Sequence, residues 1–272
     1  MGIDQFYTKE TVSLKYWNIF KTYSNNYDII LEPSAGSGSF FKLLPEDKRI
    51  GLDLEPKYPD IITQNFFDFT PIPNKIYHVI GNPPFGKGSS LAVKFFNHAA
   101  EFADIIAFII PRTFKRVSVQ NKLNMSFSLV FSEDLSTNPC CFEPKMDAKC
   151  CFQIWKKEEI PRKKIICNTT HDDFVFVKYG PLDHKKQPTV PDLKTFDFAI
   201  RAYGSDCGKI FTENLEKLRP KSYHFIKSNL DIDVLIERFK TLDYSISNDS
   251  VRQCSLGKSD LIHLYNTACV CI

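Results

Sequence analysis

Strand-like and helix-like stretches alternate along the first half of this 272-residue chain. Residues 28–32 and 49–54 have the pattern of short strands, and the unbroken apolar run 105–110 has that of a strand buried on both faces. Residues 11–22 and 89–102 instead carry apolar side chains at helical spacing. Because strands that alternate with helices build parallel sheets, we expect an α/β fold with a Rossmann-like, doubly wound sheet.

The alternation ends after Asn124. Four more strand-like stretches follow, separated by proline-containing loops: residues 127–131, 151–155, 174–179 and 196–203. We expect one domain over residues 1–157, which contains the parallel sheet, and a small C-terminal α+β extension over residues 158–272.

Composition excludes several classes of protein. With 43% hydrophobic and 14% aromatic residues and 9 cysteines in this length, the chain is neither a disordered segment nor a disulfide-stapled miniprotein. Its longest apolar run falls far short of the roughly 20 residues that span a bilayer, and its first residues contain no apolar signal segment. We expect a cytoplasmic or nuclear protein without a membrane partner and with reduced thiols.

Positive charge is concentrated in the middle of the chain. The formal net charge is only +3, but residues 105–190 carry 14 Lys and Arg against 9 Asp and Glu. A basic region of this kind is the footprint of phosphate-backbone binding, and an ordinary solvated surface is the alternative. The residues that we expect to contact phosphates are Arg112, Lys115, Arg116, Lys122 and Lys163.

The loops after the first two predicted strands suit a ligand with a ribose but no pyrophosphate. Gly36 and Gly38 allow the backbone to approach a ligand closely. In a dinucleotide-binding GxGxxG loop the third glycine would stand at Phe41, so a pyrophosphate on this loop is not expected. Asp53, at the end of the second strand, can accept hydrogen bonds from ribose hydroxyls. S-adenosylmethionine meets both requirements.

The most informative motif is Asn82-Pro83-Pro84-Phe85, directly after the predicted strand 77–81. The Asn82 side chain and the Pro83 carbonyl are acceptors, and the prolines fix their direction without adding N–H donors. Phe85 offers a flat face for stacking. Two acceptors and a ring suit a planar aryl amine, because acceptors placed for a tetrahedral nitrogen favour the transition state over the ground state. Taken alone, the motif also fits a proline-rich turn without chemistry.

In this order the motifs resemble those of class I S-adenosylmethionine-dependent N6-adenine methyltransferases. The resemblance covers about residues 3–156 and rests on residues 4–9, 31–40, 51–56, 82–85, 109–114 and 152–155. It implies the Rossmann-like class I methyltransferase sheet and makes the C-terminal extension a candidate target-recognition region. Related tetrapeptides also occur in enzymes that methylate guanine N2 or the glutamine amide of release factors.

The resemblance implies a role for each site residue and no metal. Tyr7 and Thr8 would hold the methionine part of the cofactor, Asp53 the ribose, and Asp68 with Phe69 the adenine. The full cofactor-binding set is Tyr7, Thr8, Glu32, Ser34, Gly36, Gly38, Asp53, Leu54, Asp68 and Phe69. The catalytic set is Asn82, Pro83, Pro84 and Phe85, of which Asn82 and Pro83 would accept from the target amine while Phe85 stacks on a base taken out of its strand.

We therefore expect an enzyme that moves a methyl group from S-adenosylmethionine to adenine N6 in nucleic acid by direct in-line displacement. The motif order favours DNA, and RNA is the alternative because RNA methyltransferases carry a similar N-terminal segment. Protein glutamine methylation and a catalytically silent scaffold are further alternatives. The expected partner is nucleic acid, with a homodimer or a partner subunit also open.

Overall fold

The computed structural model describes residues 6–269 and divides the chain into two compact units, residues 1–165 and 166–272. Asp4 and Gln5 of the N-terminal motif lie outside the described residues. The strands of the first unit are β1 (Tyr7–Thr8), β2 (Ile29–Glu32), β3 (Arg49–Asp53), β4 (Ile62–Thr63), β5 (Tyr77–Gly81), β6 (Ala103–Pro111), β7 (Phe127–Asp134), β8 (Phe142–Glu143) and β9 (Cys150–Lys157). Its α-helices are α1 (Glu10–Tyr23), α2 (Ser90–Ala99) and α3 (Val117–Gln120).

Seven strands of the first unit form one sheet in the order β4-β3-β2-β5-β6-β9-β7. Neighbours from β4 to β6 are parallel, and β9 runs antiparallel to both β6 and β7. The strand order turns around between β2 and β5, because β3 and β4 lie on one side of this pair and β6 on the other. The predicted Rossmann-like α/β fold is thus confirmed. Sheets of this type bind ligands outside the carboxyl ends of the strands at the turning point.

Both faces of the sheet are covered. Ile106, Phe108 and Ile110 of β6 are buried in one core cluster with the apolar face of α2. On the other face, the Phe152 ring of β9 stacks on Tyr16 of α1, with ring centroids 4.3 Å apart. Successive residues of a strand point to opposite faces, so the continuous apolar run of β6 supplies both cores.

The connection from β2 to β3 differs from the alternation of strands and helices that the sequence predicts. Two short 3₁₀ turns, Phe41–Leu43 and Glu46–Lys48, stand there in place of an α-helix. Pro45 separates the turns, and it has no N–H with which a helix could continue. The connection nevertheless runs back to the amino end of β3, which is parallel to β2.

The second unit is an α+β fold, as predicted for the C-terminal extension. Its elements are β10 (Phe174–Val177), β11 (Phe198–Arg201), β12 (Ile210–Phe211), β13 (Tyr223–Ser228), α4 (Ile232–Lys240) and α5 (Lys258–Cys269). The strands form an antiparallel sheet in the order β10-β13-β11-β12. One face packs on the two helices through a core that includes Phe198, Ile226, Leu235, Phe239 and Tyr265.

The division between the units falls later than Lys157, the boundary expected from the sequence. The Arg162 guanidinium donates to Phe127 O at 2.9 Å and to Leu123 O at 3.3 Å. Ile165 N donates to Asn121 Oδ1 at 3.1 Å. These contacts keep residues 158–165 with the first unit. Within the described residues, no helix has the length and apolar character needed to cross a membrane.

Candidate functional site

The loops that follow β2 and β5 meet at the turning point of the sheet. Ser34 Oγ donates to Asn82 O at 3.1 Å. A Cβ atom added to Gly81 would lie 3.2 Å from Glu32 Cγ, so the two strand ends are in close contact. The structure therefore brings together the cofactor motif and the Asn82-Pro83-Pro84-Phe85 motif that the sequence placed on separate loops.

Asp53 fixes the loop of residues 33–40, here called the glycine loop. Its Oδ2 accepts the backbone N–H of Gly36 at 2.7 Å, and its Oδ1 accepts that of Glu55 at 2.8 Å. The backbone adds two further links, from Ala35 N to Leu52 O at 2.8 Å and from Lys57 N to Gly36 O at 2.9 Å. The glycine loop is thus held against the end of β3.

Two tyrosine rings press on the two glycines of this loop. Gly36 and Gly38 have φ angles of +50° and +78°, in the left-handed region that favours glycine. A Cβ atom at Gly36 would lie 2.9 Å from Tyr7 Cε1, and one at Gly38 would lie 2.9 Å from Tyr58 Cγ. Tyr58 was not among the predicted site residues; its only sequence signal is its place shortly after Asp53.

The pairing of β1 with β8 holds the N-terminal segment in place. Tyr7 pairs with Glu143 and Thr8 with Phe142 of β8 in a two-stranded antiparallel sheet. The Lys57 ammonium lies 5.1 Å from the centroid of the Tyr7 ring. A side-chain hydrogen bond with Tyr7 is the main cause of the raised pKa of Lys57. The Tyr7 ring therefore stands beside the glycine loop, and Thr8 is the next residue of β1.

Within the part of the chain that the structure describes, three buried oxygen atoms near this edge have no hydrogen-bond partner: Thr8 Oγ1, Glu32 Oε2 and Asn82 Oδ1. An unsatisfied buried polar atom costs about 1–3 kcal/mol and calls for an explanation such as a ligand. Asn82 Nδ2 donates to Phe6 O at 3.3 Å, which leaves its oxygen as the free acceptor. The three residues belong to β1, to the end of β2 and to the loop after β5, and the contacts of Gly81 with Glu32 and of Asn82 with Phe6 connect these segments.

Burial sets the protonation of Glu32. The side chain is 2% exposed, and this desolvation holds its pKa well above the ordinary range of a carboxylic acid. A hydrogen bond from the backbone of Phe41 acts in the opposite direction, and the charge of Asp53 raises the pKa further. A cation placed next to Glu32 would favour its ionised form.

The tetrapeptide after β5 is fixed to the start of α2. Phe85 O accepts the backbone N–H groups of Leu91 at 3.1 Å and Ala92 at 3.2 Å. These are donors of the first helical turn, which has no intrahelical partners for them. Pro83 is buried, whereas Asn82, Pro84 and Phe85 are half-buried. The Phe85 ring is thus anchored through its backbone while part of it stays accessible.

The residues predicted to hold an adenine differ in their surroundings. Leu54, next to Asp53, is 58% exposed, and Asp68 is exposed at the end of a 3₁₀ turn. Asn65 caps that turn by accepting the N–H of Phe67 at 3.2 Å. The half-buried Phe69 ring packs edge-on against Tyr77, with centroids 6.0 Å apart, and thereby also belongs to the core.

Two of the predicted phosphate contacts share one acid. Arg112 Nε lies 3.4 Å from Asp134 Oδ2, and Lys115 Nζ lies 3.4 Å from Asp134 Oδ1. Arg112 also donates to Cys150 O at 3.4 Å and Leu135 O at 3.3 Å, so much of its donor capacity is used inside the protein. Arg112, Lys115 and Arg116 lie in the turn directly after β6, near the carboxyl edge of the sheet.

The other two predicted phosphate contacts lie elsewhere. Lys122 O accepts a hydrogen bond from Asn97 Nδ2 at 2.8 Å. Asn97 lies near the end of α2, and the chain continues from there to the amino end of β6. Lys122 therefore lies toward that end of the sheet. Lys163 stands on a neighbouring segment, because Asn121 Nδ2 donates to Ile165 O at 2.7 Å. Lys122 and Lys163 are both exposed. The structure thus brings Lys122 and Lys163 close to each other but not to the Asn82 loop.

The described residues contain no group of three or more His, Cys, Asp or Glu arranged to hold a metal ion. Cys140, Cys141, Cys150 and Cys151 form no disulfide bond within the described residues. Burial raises the pKa values of Cys141 and Cys150, which keeps both in the protonated, unreactive form.

No protein-family model and no curated protein sequence matches the chain. Among solved structures, the 23S rRNA methyltransferase ErmE is 16% identical, over 54% of this chain and 69% of its own, with a TM-score of 0.41. A dimethyladenosine transferase from Plasmodium falciparum is 17% identical, over 56% of this chain and 63% of its own, with a TM-score of 0.39. Both scores lie below 0.5, so the fold and the site rest on the strand order and contacts given above.

Proposed function

We propose that this chain is an S-adenosylmethionine-dependent methyltransferase that acts on the N6 amine of adenine in nucleic acid. The observation that carries the proposal is the buried acceptor Asn82 Oδ1, which has no hydrogen-bond partner among residues 6–269. The half-exposed Phe85 lies three residues further along the same loop. The acceptor lies where Ser34 Oγ joins the glycine loop to the Asn82 backbone. A cofactor on that loop and an amine on Asn82 would therefore be neighbours.

The residues present fit the chemical parts of S-adenosylmethionine. Each Asp53 carboxylate oxygen accepts one backbone N–H and keeps a second lone pair, which a ribose hydroxyl can use. The buried oxygens of Thr8 and Glu32 suit the ammonium group of the methionine part. The exposed Leu54 offers an apolar face to the adenine, with Asp68 as an acceptor for its amino group.

The proposed chemistry rests on the orientation of the amine. An aryl amine is a poor nucleophile because its lone pair is delocalised into the ring. Acceptors at Asn82 Oδ1 and Pro83 O draw its two N–H bonds toward tetrahedral geometry, and this favours the transition state. Bound S-adenosylmethionine supplies an electrophilic methyl group on its sulfonium. The amine nitrogen would take this methyl group in line as the carbon–sulfur bond breaks, and one amine proton would pass to solvent.

The base must leave its stack before it can reach this site. Phe85 offers a ring on which an extruded adenine can stack. Lys115 and Arg116, near the same edge of the sheet, are proposed to hold the flanking phosphates. We propose DNA as the first substrate to test and RNA as the second.

The test is transfer of labelled methyl from S-adenosylmethionine to matched single- and double-stranded DNA and RNA, with nucleoside mass spectrometry of the products. Oligonucleotides of the same length without adenine are the control. We expect N6-methyladenine in one substrate class and none with Asn82→Ala. Measurable cofactor binding without any methylated nucleoside would contradict the proposal and point to a protein substrate or a silent scaffold.

A further inference from the structure

Ser89 has a strained backbone in a fully buried place. Its φ is +65° and it is 1% exposed. A side chain in the left-handed region costs roughly 1–2 kcal/mol, and such strain persists where the surrounding structure over-determines the residue. Gly86 and Gly88 share this sign of φ, at +68° and +59°, but carry no such penalty because they lack a Cβ atom.

The side chain of Ser89 provides the compensating contact. Ser89 Oγ lies 2.8 Å from Thr113 Oγ1, within hydrogen-bond distance. Thr113 belongs to the 3₁₀ turn Arg112–Lys115 that follows β6. Because β5 and β6 are adjacent and parallel, the loops after them leave the sheet side by side. The two hydroxyls join these loops.

The turn that contains Ser89 lies between Phe85 and α2. Phe85 O caps the helix through Leu91 N and Ala92 N, and Ser89 N donates to Gly86 O at 3.4 Å. A Cβ atom at Gly86 would lie only 2.7 Å from Leu91 Cβ, so the turn is packed tightly against the helix start. A shift of Ser89 would therefore move the backbone that carries the Phe85 ring.

We propose that Ser89 and Thr113 are positioning residues whose hydroxyl pair sets Phe85 against the extruded base. This inference rests on the proposed function and deepens it. The pair also connects the base-contacting loop with the segment that carries Lys115 and Arg116, so phosphate binding and base stacking share one support.

The test compares two substitutions that remove a hydroxyl with one that keeps it. Thr113→Val and Ser89→Ala remove one hydroxyl each, and Thr113→Ser keeps it. We expect the first two to lower kcat about tenfold or more, since small misplacements at a reacting centre are that costly. KM for S-adenosylmethionine should stay close to wild type, whereas the melting temperature should fall by a few degrees because one buried hydroxyl loses its partner. Thr113→Ser should keep the wild-type kcat. The double variant should be no slower than either single variant, because both remove the same interaction.

A second measurement keeps the two proposals distinguishable. Hydrogen exchange at the amides of Leu91 and Ala92 reports the link to Phe85 O without any substrate. We expect faster exchange in Thr113→Val than in Thr113→Ser. Equal exchange in the two variants, or faster exchange with an unchanged kcat, would overturn the positioning role. If the wild-type protein transfers no methyl to any nucleic acid, the proposed function and the role for Phe85 that rests on it both fail, whatever the exchange rates.

Discussion

Asp53 Oδ2 accepts the backbone N–H of Gly36 at 2.7 Å, and this bond joins the end of β3 to the glycine loop after β2. The sequence predicted Asp53 as a ribose ligand on the basis of its strand-end position. The contact adds a second role that the spacing of the motif does not reveal. The glycine-loop backbone and the Asp53 carboxylate are therefore already in position before a ligand binds.

Asp53→Asn should weaken cofactor binding by about tenfold or more, because charge-assisted hydrogen bonds contribute roughly 1.5–3 kcal/mol each. The change removes one acceptor oxygen and leaves the volume of the side chain unchanged. Calorimetric titration with S-adenosylmethionine measures it. The exposed neighbour Glu55 gives a matched control, since Glu55→Gln removes the same charge. Equal affinities in the two variants would contradict the assignment of Asp53.

Gly36→Ala should lower the free energy of unfolding and weaken cofactor binding. Two effects combine, a left-handed backbone that costs roughly 1 kcal/mol for a residue with a Cβ atom and a clash 2.9 Å from Tyr7 Cε1. Gly88→Ala separates them, because Gly88 has φ +59° but a Cβ atom added there would have no neighbour within 4 Å. Urea denaturation should therefore show a larger loss for Gly36→Ala, and equal losses would argue against the Tyr7 contact.

Asn82→Ala should reduce kcat by at least about a hundredfold, in line with the loss of one acceptor or donor preorganised for a transition state. Cofactor affinity should stay within a few-fold of wild type, because the change lies on the amine side of the site. Single-turnover transfer and cofactor titration measure the two effects separately. Asn26→Ala, an exposed site before β2, is the control and should transfer at the wild-type rate. A wild-type rate for Asn82→Ala would remove the main support of the proposed function.

Cofactor affinity should rise with pH through the raised pKa of Glu32. Burial favours the neutral carboxyl in the free protein, whereas the cationic methionine part of the ligand favours the ionised form. Binding should therefore lower this pKa and release a proton, and the affinity should level off once Glu32 is ionised without ligand. Calorimetry in two buffers of different ionisation enthalpy measures the proton release. Glu32→Gln should bind more weakly and without this release; an unchanged pH dependence would assign the effect to another group.

The sequence predicted the sheet well because buried parallel strands have unbroken apolar patterns. The runs that became β2, β5 and β6 are of this kind, and the motifs follow their ends directly. The sequence did not predict contacts between residues far apart in the chain. Examples are the Tyr58 ring against Gly38 and the Ser89 hydroxyl with that of Thr113. Neither pair has a spacing or residue pattern that distinguishes it from ordinary loop residues.

A count of charged residues likewise does not show which of them are neighbours in the folded protein. Counting lysines and arginines grouped Lys115 and Arg116 with Lys122 and Lys163, whereas the fold separates the two pairs. If nucleic acid binds at the Asn82 edge, Lys115→Gln with Arg116→Gln should reduce the slope of log affinity against log salt by about one for each lost phosphate contact. The charge-matched double variant Lys122→Gln with Lys163→Gln should keep the wild-type slope. The reverse result would place the nucleic acid at the amino end of β6, away from Phe85, and would leave the proposed base stacking without a bound strand to supply the base.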